Sequence, residues 1–265
     1  MQPLNPTPVF AAFDWAGRPV RVEYEWVGAD KGPVIVFLHE GLGSLSMWRD
    51  FPAKLATALG MRGLAYSRPG YGKSTPRGPD ERWDVDFMHR QAREVLPKVL
   101  EAAGAGGEPV WMYGHSDGGS IALLYAAMFP DRVTGVVVAA PHVFVEDFSI
   151  AAIAQARVAY LETDLRARLA RHHEDVDSAF WGWNDIWLHE PFLAWNIEGE
   201  LEAIRAPVLA IQGVDDEYGT MEQVHRIARR VPGAQVLELA HCGHSPHRDQ
   251  PGAVIDATVR FAGSR

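Results

Sequence analysis

The sequence predicts an α/β fold, with a mostly parallel central sheet, helices on both of its faces and an inserted helical cap. Continuous apolar runs, typical of buried strands, alternate with segments of helical spacing along most of the chain. This alternation stops between residues 142 and 206, where helical spacing continues without a convincing strand. The length of 265 residues suits one large domain, or a core domain with an insertion.

The predicted strands differ in how their two faces are buried. Residues 20–26 alternate apolar and polar side chains, which predicts a strand buried on one face. Residues 34–38 read Val-Ile-Val-Phe-Leu, and a run without polar side chains predicts a strand buried on both faces. Further strands are predicted at residues 62–66, 110–113, 133–139, 207–211 and 235–239.

The helices are predicted from the spacing of apolar residues. Apolar side chains from Trp48 to Leu59 fall on one helical face. A longer helix over residues 85–103 contains Pro97, which lacks a backbone N–H group and is expected to kink it. Further helical segments are predicted at residues 121–127, 151–161, 165–172 and 253–261.

The segment 142–206 is interpreted as a helical cap over the ends of the strands. Residues 1–141 and 207–265 then form the core domain. Tryptophans concentrate in the second half of the cap, where they either pack a small helical core or contact an apolar or aromatic portion of a substrate. The candidates for substrate contact are Trp181, Trp183 and Trp187.

Charge and composition exclude several classes of partner. The net charge of −9 argues against nucleic acid and anionic membranes, because both require basic patches. The single cysteine, Cys242, permits no intrachain disulfide, and residues 1–6 lack the features of a signal peptide. No apolar run approaches the roughly 18 residues of a membrane-spanning helix. We therefore expect a cytoplasmic protein with a small-molecule substrate, and the sequence leaves its oligomeric state open.

The most informative stretch is residues 114–118, which read Gly-His-Ser-Asp-Gly. They lie between the apolar run 110–113 and the helical run 121–127, and Gly-x-Ser-x-Gly at a strand-to-helix junction is typical of a nucleophile elbow. Glycines on both sides permit the sharp turn because they have no Cβ. Such a turn lifts a hydroxyl above the sheet, so Ser116 is the candidate nucleophile.

A serine nucleophile requires a base and a carboxylate that orients the base. Loops at the carboxyl ends of parallel strands are where such sheets place active sites. The candidate acids and histidines follow the last two predicted strands, and they are Asp215, Asp216, Glu217, His241, His244 and His247. The residues therefore appear in the chain order nucleophile, acid, histidine.

With these motifs, the chain resembles the serine hydrolases of the α/β-hydrolase family over essentially its whole length. The resemblance is carried by residues 39–43, 114–119, 213–216 and 242–247. In that family the acid commonly stands three residues after a glycine that ends a strand, which selects Asp216 with Asp215 as the alternative. The histidine usually follows a glycine, which selects His244. The resemblance also implies an oxyanion hole made by backbone N–H groups, and the candidates are Asp117, Gly41 and Leu42.

The sequence departs from the family pattern at Glu40, where the family usually has glycine. A carboxylate beside an oxyanion opposes the developing negative charge unless it turns away or is paired. Glu40 is therefore also a candidate substrate-binding residue, since an acidic group can receive a substrate amine.

Serine at the elbow, rather than the aspartate of haloalkane dehalogenases and epoxide hydrolases, favours acyl transfer. The resemblance implies hydrolysis of a carboxylic ester or lactone of a small, partly apolar substrate. One alternative is a carbon–carbon hydrolase of aromatic ring-cleavage products, although Ser245 stands where those relatives usually carry tryptophan. The others are a peptidase that trims N-terminal residues and a binding protein without turnover. No metal is expected, because the histidine spacing matches no zinc motif, and no cofactor is expected.

Overall fold

The computed structural model describes residues 9–78 and 80–264, so residues 1–6 lie outside the described part of the chain. Eight strands form one sheet, and they are β1 (Val9–Trp15), β2 (Arg18–Gly28), β3 (Val34–Leu38), β4 (Arg62–Tyr66), β5 (Val110–His115), β6 (Val133–Ala139), β7 (Val208–Gly213) and β8 (Gln235–Leu239). Their order is β1-β2-β4-β3-β5-β6-β7-β8. Pairing is antiparallel between β1 and β2 and between β2 and β4, and parallel elsewhere. The predicted, mostly parallel sheet is therefore confirmed.

Helices cover both faces of this sheet. The α-helices are α1 (Phe51–Leu59), α2 (Phe87–Arg90), α3 (Leu96–Ala102), α4 (Asp117–Met128), α5 (Asp147–Glu162), α6 (Leu165–Leu169), α7 (Val176–Trp187), α8 (Glu222–Arg230), α9 (Pro246–Asp249) and α10 (Pro251–Gly263). Short 3₁₀ turns occupy Leu45–Trp48, Pro130–Arg132, Glu190–Ala194 and Glu200–Ala203, and Gln91–Val95 forms a π-helical turn. Along residues 9–78 and 80–264, none of the helices combines the length and apolar character needed to cross a bilayer.

Alternate residues of the central strands supply two hydrophobic clusters, one on each face. On β5, Met112 belongs to the larger cluster together with α3, α4 and α8. Its neighbour Tyr113 belongs to the smaller cluster with α1 and α10. This division follows from the two-residue period of a strand, which points successive side chains to opposite faces. Burial on both faces explains why these strands have continuous apolar sequences.

Two predicted helices are interrupted in the structure. The helix predicted from Trp48 breaks at Arg49, whose φ of 54° lies in the left-handed region and cannot continue a right-handed turn. The helix predicted over residues 85–103 is divided by the π-helical turn, after which α3 begins. The wider turn leaves room for the ring of Pro97, which otherwise collides with the carbonyl group four residues earlier.

The segment 142–206 contributes α5, α6, α7 and two 3₁₀ turns, with no strand longer than an isolated bridge among its residues. The predicted helix over 165–172 is shorter, because α6 ends at Leu169, and α7 was not predicted as a helix. Buried side chains such as Ile153 and Phe180 join the same cluster as one face of the sheet. The insertion therefore packs directly on the core. That residues 142–206 form a separate cap domain stays a prediction.

The strand β1 and the helix α8 were not predicted from the sequence, because their apolar patterns are weak. Most side chains of the edge strand β1 are exposed or half-buried, so it lacks the apolar run of the central strands. Helix α8 is strongly polar and buries only Gln223, Val224 and Ile227.

Candidate active site

Ser116 occupies the turn between β5 and α4, at the carboxyl end of the sheet. Its φ of 52° and ψ of −121° are strained for a residue with a side chain, as expected at a nucleophile elbow. A Cβ atom on Gly114 would lie 2.2 Å from the carbonyl oxygen of Gly118, and one on Gly118 would lie 2.1 Å from that of Leu38. The glycines are therefore required by the close approach of backbone segments around the turn.

The structure brings Ser116, His244 and Asp216 together from three different loops. The distance between His244 Nε2 and Ser116 Oγ is 2.9 Å. The opposite ring nitrogen, Nδ1, lies 2.9 Å from both carboxylate oxygens of Asp216. The Asp216 carboxylate orients the ring, and the ring faces the hydroxyl.

Asp216 rather than Asp215 contacts His244. Asp216 Oδ1 accepts hydrogen bonds from the backbone N–H groups of Tyr218 (2.7 Å) and Gly219 (3.1 Å), and its Oδ2 accepts one from Gln212 Nε2 (2.7 Å). Asp215 is exposed, and its backbone N–H donates to the Cys242 carbonyl group. The short loop after β7 thus turns the second of the two carboxylates inward. His241 is exposed, and His247 is buried against Trp48.

The environment shifts the pKa values of this pair in opposite directions. Burial acts to raise the pKa of Asp216, but the hydrogen bond and charge of His244 and the Tyr218 N–H outweigh it, so the pKa lies below its usual 3.8. Burial acts to lower the pKa of His244, and the Asp216 carboxylate outweighs that effect, so its pKa lies above 6.5. The carboxylate therefore stays ionised and makes the imidazole more basic.

The loop after β3 is held by a network around the carbonyl oxygen of Glu40. This oxygen accepts hydrogen bonds from His39 Nδ1 (2.7 Å), Arg68 Nη2 (2.8 Å) and the N–H of Gly43 (3.1 Å). His39 Nε2 in turn accepts a hydrogen bond from the Arg68 backbone N–H at 3.0 Å. Arg68, which sequence analysis did not single out, is fully buried behind the loop.

The predicted oxyanion-hole residues lie around the same cavity as Ser116. Gly41, Leu42 and Asp117 all line it. Among the described residues, the backbone N–H groups of Gly41, Leu42 and Asp117 have no acceptor within the protein. A Cβ atom on Gly41 would lie 2.2 Å from Trp183 Nε1, so only glycine lets the indole pack this closely.

Glu40 lies at the wall of the cavity, and its carboxylate contacts His115, with 3.3 Å between Glu40 Oε2 and His115 Nδ1. Burial acts to raise the pKa of Glu40, but the hydrogen bond and charge of His115 and the neighbouring histidines lower it well below its usual value. The carboxylate that sequence analysis placed beside the oxyanion is therefore paired.

The cavity has a volume of about 230 Å³. Two of the three predicted substrate contacts, Trp183 and Trp187, line it, but Trp181 does not. Trp181 lines a different surface depression, on the outer side of α7. The reason is the helical period of about 3.6 residues, which places residues 183 and 187 on one face and residue 181 on the opposite one. The remaining side chains that line the cavity are Glu40, Met47, His142, Ile153, Leu169, Glu217, Tyr218, Ser245 and Arg248.

Sequence analysis singled out Asp117 for its backbone N–H group, but its carboxylate also belongs to this site. It is buried, and its Oδ1 accepts a hydrogen bond from Trp187 Nε1 at 3.2 Å. Its Oδ2 lies 3.9 Å from Arg68 Nη2 and has no hydrogen-bond partner among the described residues. Burial raises the pKa of Asp117 to about 6, and Arg68 opposes that rise.

His173, a residue of the insertion, connects the insertion to the loop after β3 by a hydrogen bond. His173 Nε2 donates to the Leu42 carbonyl oxygen at 3.0 Å, and its Nδ1 accepts a hydrogen bond from the Gly72 N–H at 2.9 Å. Burial lowers the pKa of His173 to about 4, so the ring is neutral at pH 7. Its partners are distant in sequence, so no local pattern could have identified this contact.

Comparison with known proteins places the chain among hydrolases. The model of the alpha/beta hydrolase family matches residues 35–257. The chain is 26% identical to an sn-1-specific diacylglycerol lipase of Mus musculus, over 92% of the chain and 86% of the lipase. It is 22% identical to the 2-hydroxy-6-oxo-6-phenylhexa-2,4-dienoate hydrolase of Burkholderia cepacia, over 88% of each. The crystal structure of the enol-lactonase from Burkholderia xenovorans LB400 matches with a TM-score of 0.71 and 22% identity, covering 92% of this chain and 97% of the enol-lactonase.

Proposed function

Since the chain belongs to the alpha/beta hydrolase family, whose relatives here are hydrolytic enzymes, we propose that it is a serine hydrolase of small carboxylic esters or lactones. The observation that carries the proposal is the continuous contact from Ser116 through His244 to Asp216. A hydroxyl, an imidazole and a carboxylate in this order form the arrangement that activates serine for acyl transfer.

In the proposed mechanism, Ser116 Oγ attacks the substrate carbonyl carbon while His244 Nε2 takes the hydroxyl proton. Asp216 stabilises the imidazolium that forms. The N–H groups of Asp117 and of Gly41 or Leu42 donate to the carbonyl oxygen as it becomes an oxyanion. The bond to the leaving alcohol breaks, and the alcohol oxygen receives the proton from His244.

An acyl ester of Ser116 remains after this half-reaction. His244 then takes a proton from a water molecule, whose oxygen attacks the acyl carbon. The bond to Ser116 Oγ breaks, the serine regains its proton from His244, and the carboxylic acid leaves. With a lactone, the alcohol and the acid are two ends of the same product.

The cavity supports a small acyl group. Its volume of about 230 Å³ is below the range of about 300–1,000 Å³ that is usual for drug-sized ligands. Trp183, Trp187 and Ile153 supply apolar wall, which suits a short hydrocarbon portion. We assign the segment 142–206 the role of a cap, because these three residues belong to it.

The test is a screen of p-nitrophenyl esters of increasing acyl length, beside lactones and an aromatic ring-cleavage product. We expect the highest kcat/KM with the shortest esters or with lactones, and no activity for Ser116→Ala. A fluorophosphonate probe should label Ser116 in the wild-type protein at neutral pH. Activity on the ring-cleavage product alone would favour carbon–carbon hydrolysis instead. Absence of labelling in a folded sample would refute the serine nucleophile.

A further inference from the structure

Behind His244 lies a second histidine that the mechanism does not use. His115 is the last residue of β5, beside Ser116 in sequence, and only 1% of it is exposed. Its Nε2 lies 2.6 Å from the backbone carbonyl oxygen of His244. A carbonyl oxygen only accepts hydrogen bonds, so His115 Nε2 carries a proton.

The other ring nitrogen of His115 faces a second acceptor. Its Nδ1 lies 3.3 Å from Glu40 Oε2. A neutral imidazole with a proton on Nε2 has only a lone pair on Nδ1, and a lone pair repels a carboxylate. The contact therefore requires one more proton, shared between these two residues. An imidazole is ordinarily a stronger base than a carboxylate, with usual pKa values of about 6.5 and about 4.3, so the shared proton resides on His115.

The neighbouring buried histidines have the opposite pattern, with one donor and one acceptor on each ring. His39 donates from Nδ1 to the Glu40 carbonyl oxygen and accepts at Nε2 from the Arg68 N–H. His173 accepts at Nδ1 and donates from Nε2. Both patterns describe a neutral ring. His115 alone among these three faces acceptors on both sides.

The remaining groups around the pair allow a cation at His115. His247 packs against its ring with 4.7 Å between centroids, and burial lowers the pKa of His247 well below its usual range, so it is neutral. The Trp48 ring lies on another side, at 6.4 Å. The His244 ring lies 5.2 Å from the His115 ring between centroids, and in the proposed mechanism it must be neutral to take the Ser116 proton. Glu40 is thus the counterion of His115.

We propose that Glu40 and His115 form a buried ion pair, with both ring nitrogens of His115 protonated, and that this pair positions the active-site loops. Glu40 belongs to the loop that supplies Gly41 and Leu42, and His115 holds the carbonyl group of His244. The pair therefore fixes the distance between the base and the oxyanion donors. It also neutralises the carboxylate that would otherwise oppose an oxyanion. The positioning role rests on the proposed function, whereas the protonation of His115 does not.

The protonation is tested by two-bond ¹H–¹⁵N correlation spectroscopy of histidine-labelled protein at pH 7. We expect both nitrogens of His115 to resonate as protonated nitrogens, while His39 and His173 each show one bare nitrogen. A bare Nδ1 on His115 in the wild-type protein would overturn the ion pair. In Glu40→Gln the amide can donate to a neutral ring, so we expect His115 to lose its second proton.

The positioning role is tested on the same variant by the rate at which fluorophosphonate labels Ser116. We expect Glu40→Gln to lower this rate and kcat about tenfold with KM unchanged, because misplacement of catalytic groups affects the chemical step. The matched control is His225→Gln, which removes an exposed histidine–glutamate pair with 2.9 Å between His225 Nε2 and Glu238 Oε1. We expect this control to change neither the labelling rate nor kcat. Labelling of Glu40→Gln at the wild-type rate would overturn the positioning role. An unlabelled wild-type protein would instead refute the proposed function, while the spectrum would still decide the protonation of His115.

Discussion

Replacing Asp216 with asparagine should abolish most activity while leaving the fold intact. The side-chain oxygen of the new asparagine can still accept the N–H groups of Tyr218 and Gly219, which now bond Asp216 Oδ1 at 2.7 and 3.1 Å. Its amide nitrogen then takes the place of Oδ2, facing His244 Nδ1 and Gln212 Nε2. A donor at this position repels the proton on His244 Nδ1. The acceptor left to that proton is the side-chain oxygen at the Oδ1 position, also 2.9 Å away, which already receives the N–H groups of Tyr218 and Gly219. The neutral ring therefore shifts towards the form with its proton on Nε2.

His244 with a proton on Nε2 cannot take one from Ser116, and the stabilisation of the imidazolium by a carboxylate is lost as well. We expect kcat/KM for a short p-nitrophenyl ester to fall about 10⁴-fold, or ~5 kcal/mol at about 1.36 kcal/mol per factor of ten. The matched control is Asp215→Asn, since Asp215 is exposed and should be replaceable without loss.

The assay is steady-state hydrolysis at about pH 8, with circular dichroism to confirm that both variants are folded. A loss of less than about tenfold in Asp216→Asn would refute the role of this carboxylate. A larger loss in Asp215→Asn would show that the neighbouring acid orients His244 in solution.

Three further outcomes follow from the same geometry. The pKa of His244 is raised, so we expect kcat/KM to be constant at high pH and to fall as the pH drops through a value above 6.5. The reason is that protonated His244 cannot act as a base. A midpoint below 6.5 in the pH–rate profile would contradict this. Gly118→Ala should lower the free energy of unfolding by about 3 kcal/mol in urea titrations, because the new Cβ meets the Leu38 carbonyl oxygen at 2.1 Å; an unchanged unfolding midpoint would refute the close approach. Trp183→Ala should raise KM for short esters about tenfold, or ~1.4 kcal/mol, because Trp183 lines the cavity. Trp181→Ala should leave KM unchanged, because Trp181 lies outside it. Equal effects of the two substitutions would contradict the assignment of Trp183 to the cavity wall.

Features with a local cause were predictable from sequence. The central strands are buried on both faces, so their continuous apolar runs identified them, and the two glycines around Ser116 marked the elbow because no side chain fits there. The edge strand β1 and the polar helix α8 lack such a signal. Their formation depends on neighbours that are distant in the chain.

The site itself divides in the same way. The sequence predicts acyl transfer by a serine nucleophile, because that reaction requires a hydroxyl, a carboxylate and an imidazole. Ser116, Asp216 and His244 are these three residue types, in the chain order typical of the family. The sequence left Asp215 as an alternative, since one residue of register in a short loop decides which carboxylate turns inward. That register depends on the packing of β7 against the loop that follows β8, where Asp215 N–H meets the Cys242 carbonyl group.

The sequence by itself determined the fold class and nominated the nucleophile, because strand period and backbone sterics are properties of neighbouring residues. Only the tertiary structure decided how the charged groups pair. It turned Glu40 to His115, placed the Asp117 carboxylate in the cavity beside Trp187, and directed Trp181 away from it. The physical reason is that hydrogen bonds and ion pairs depend on distances of a few ångströms between residues that are up to 131 positions apart in the chain.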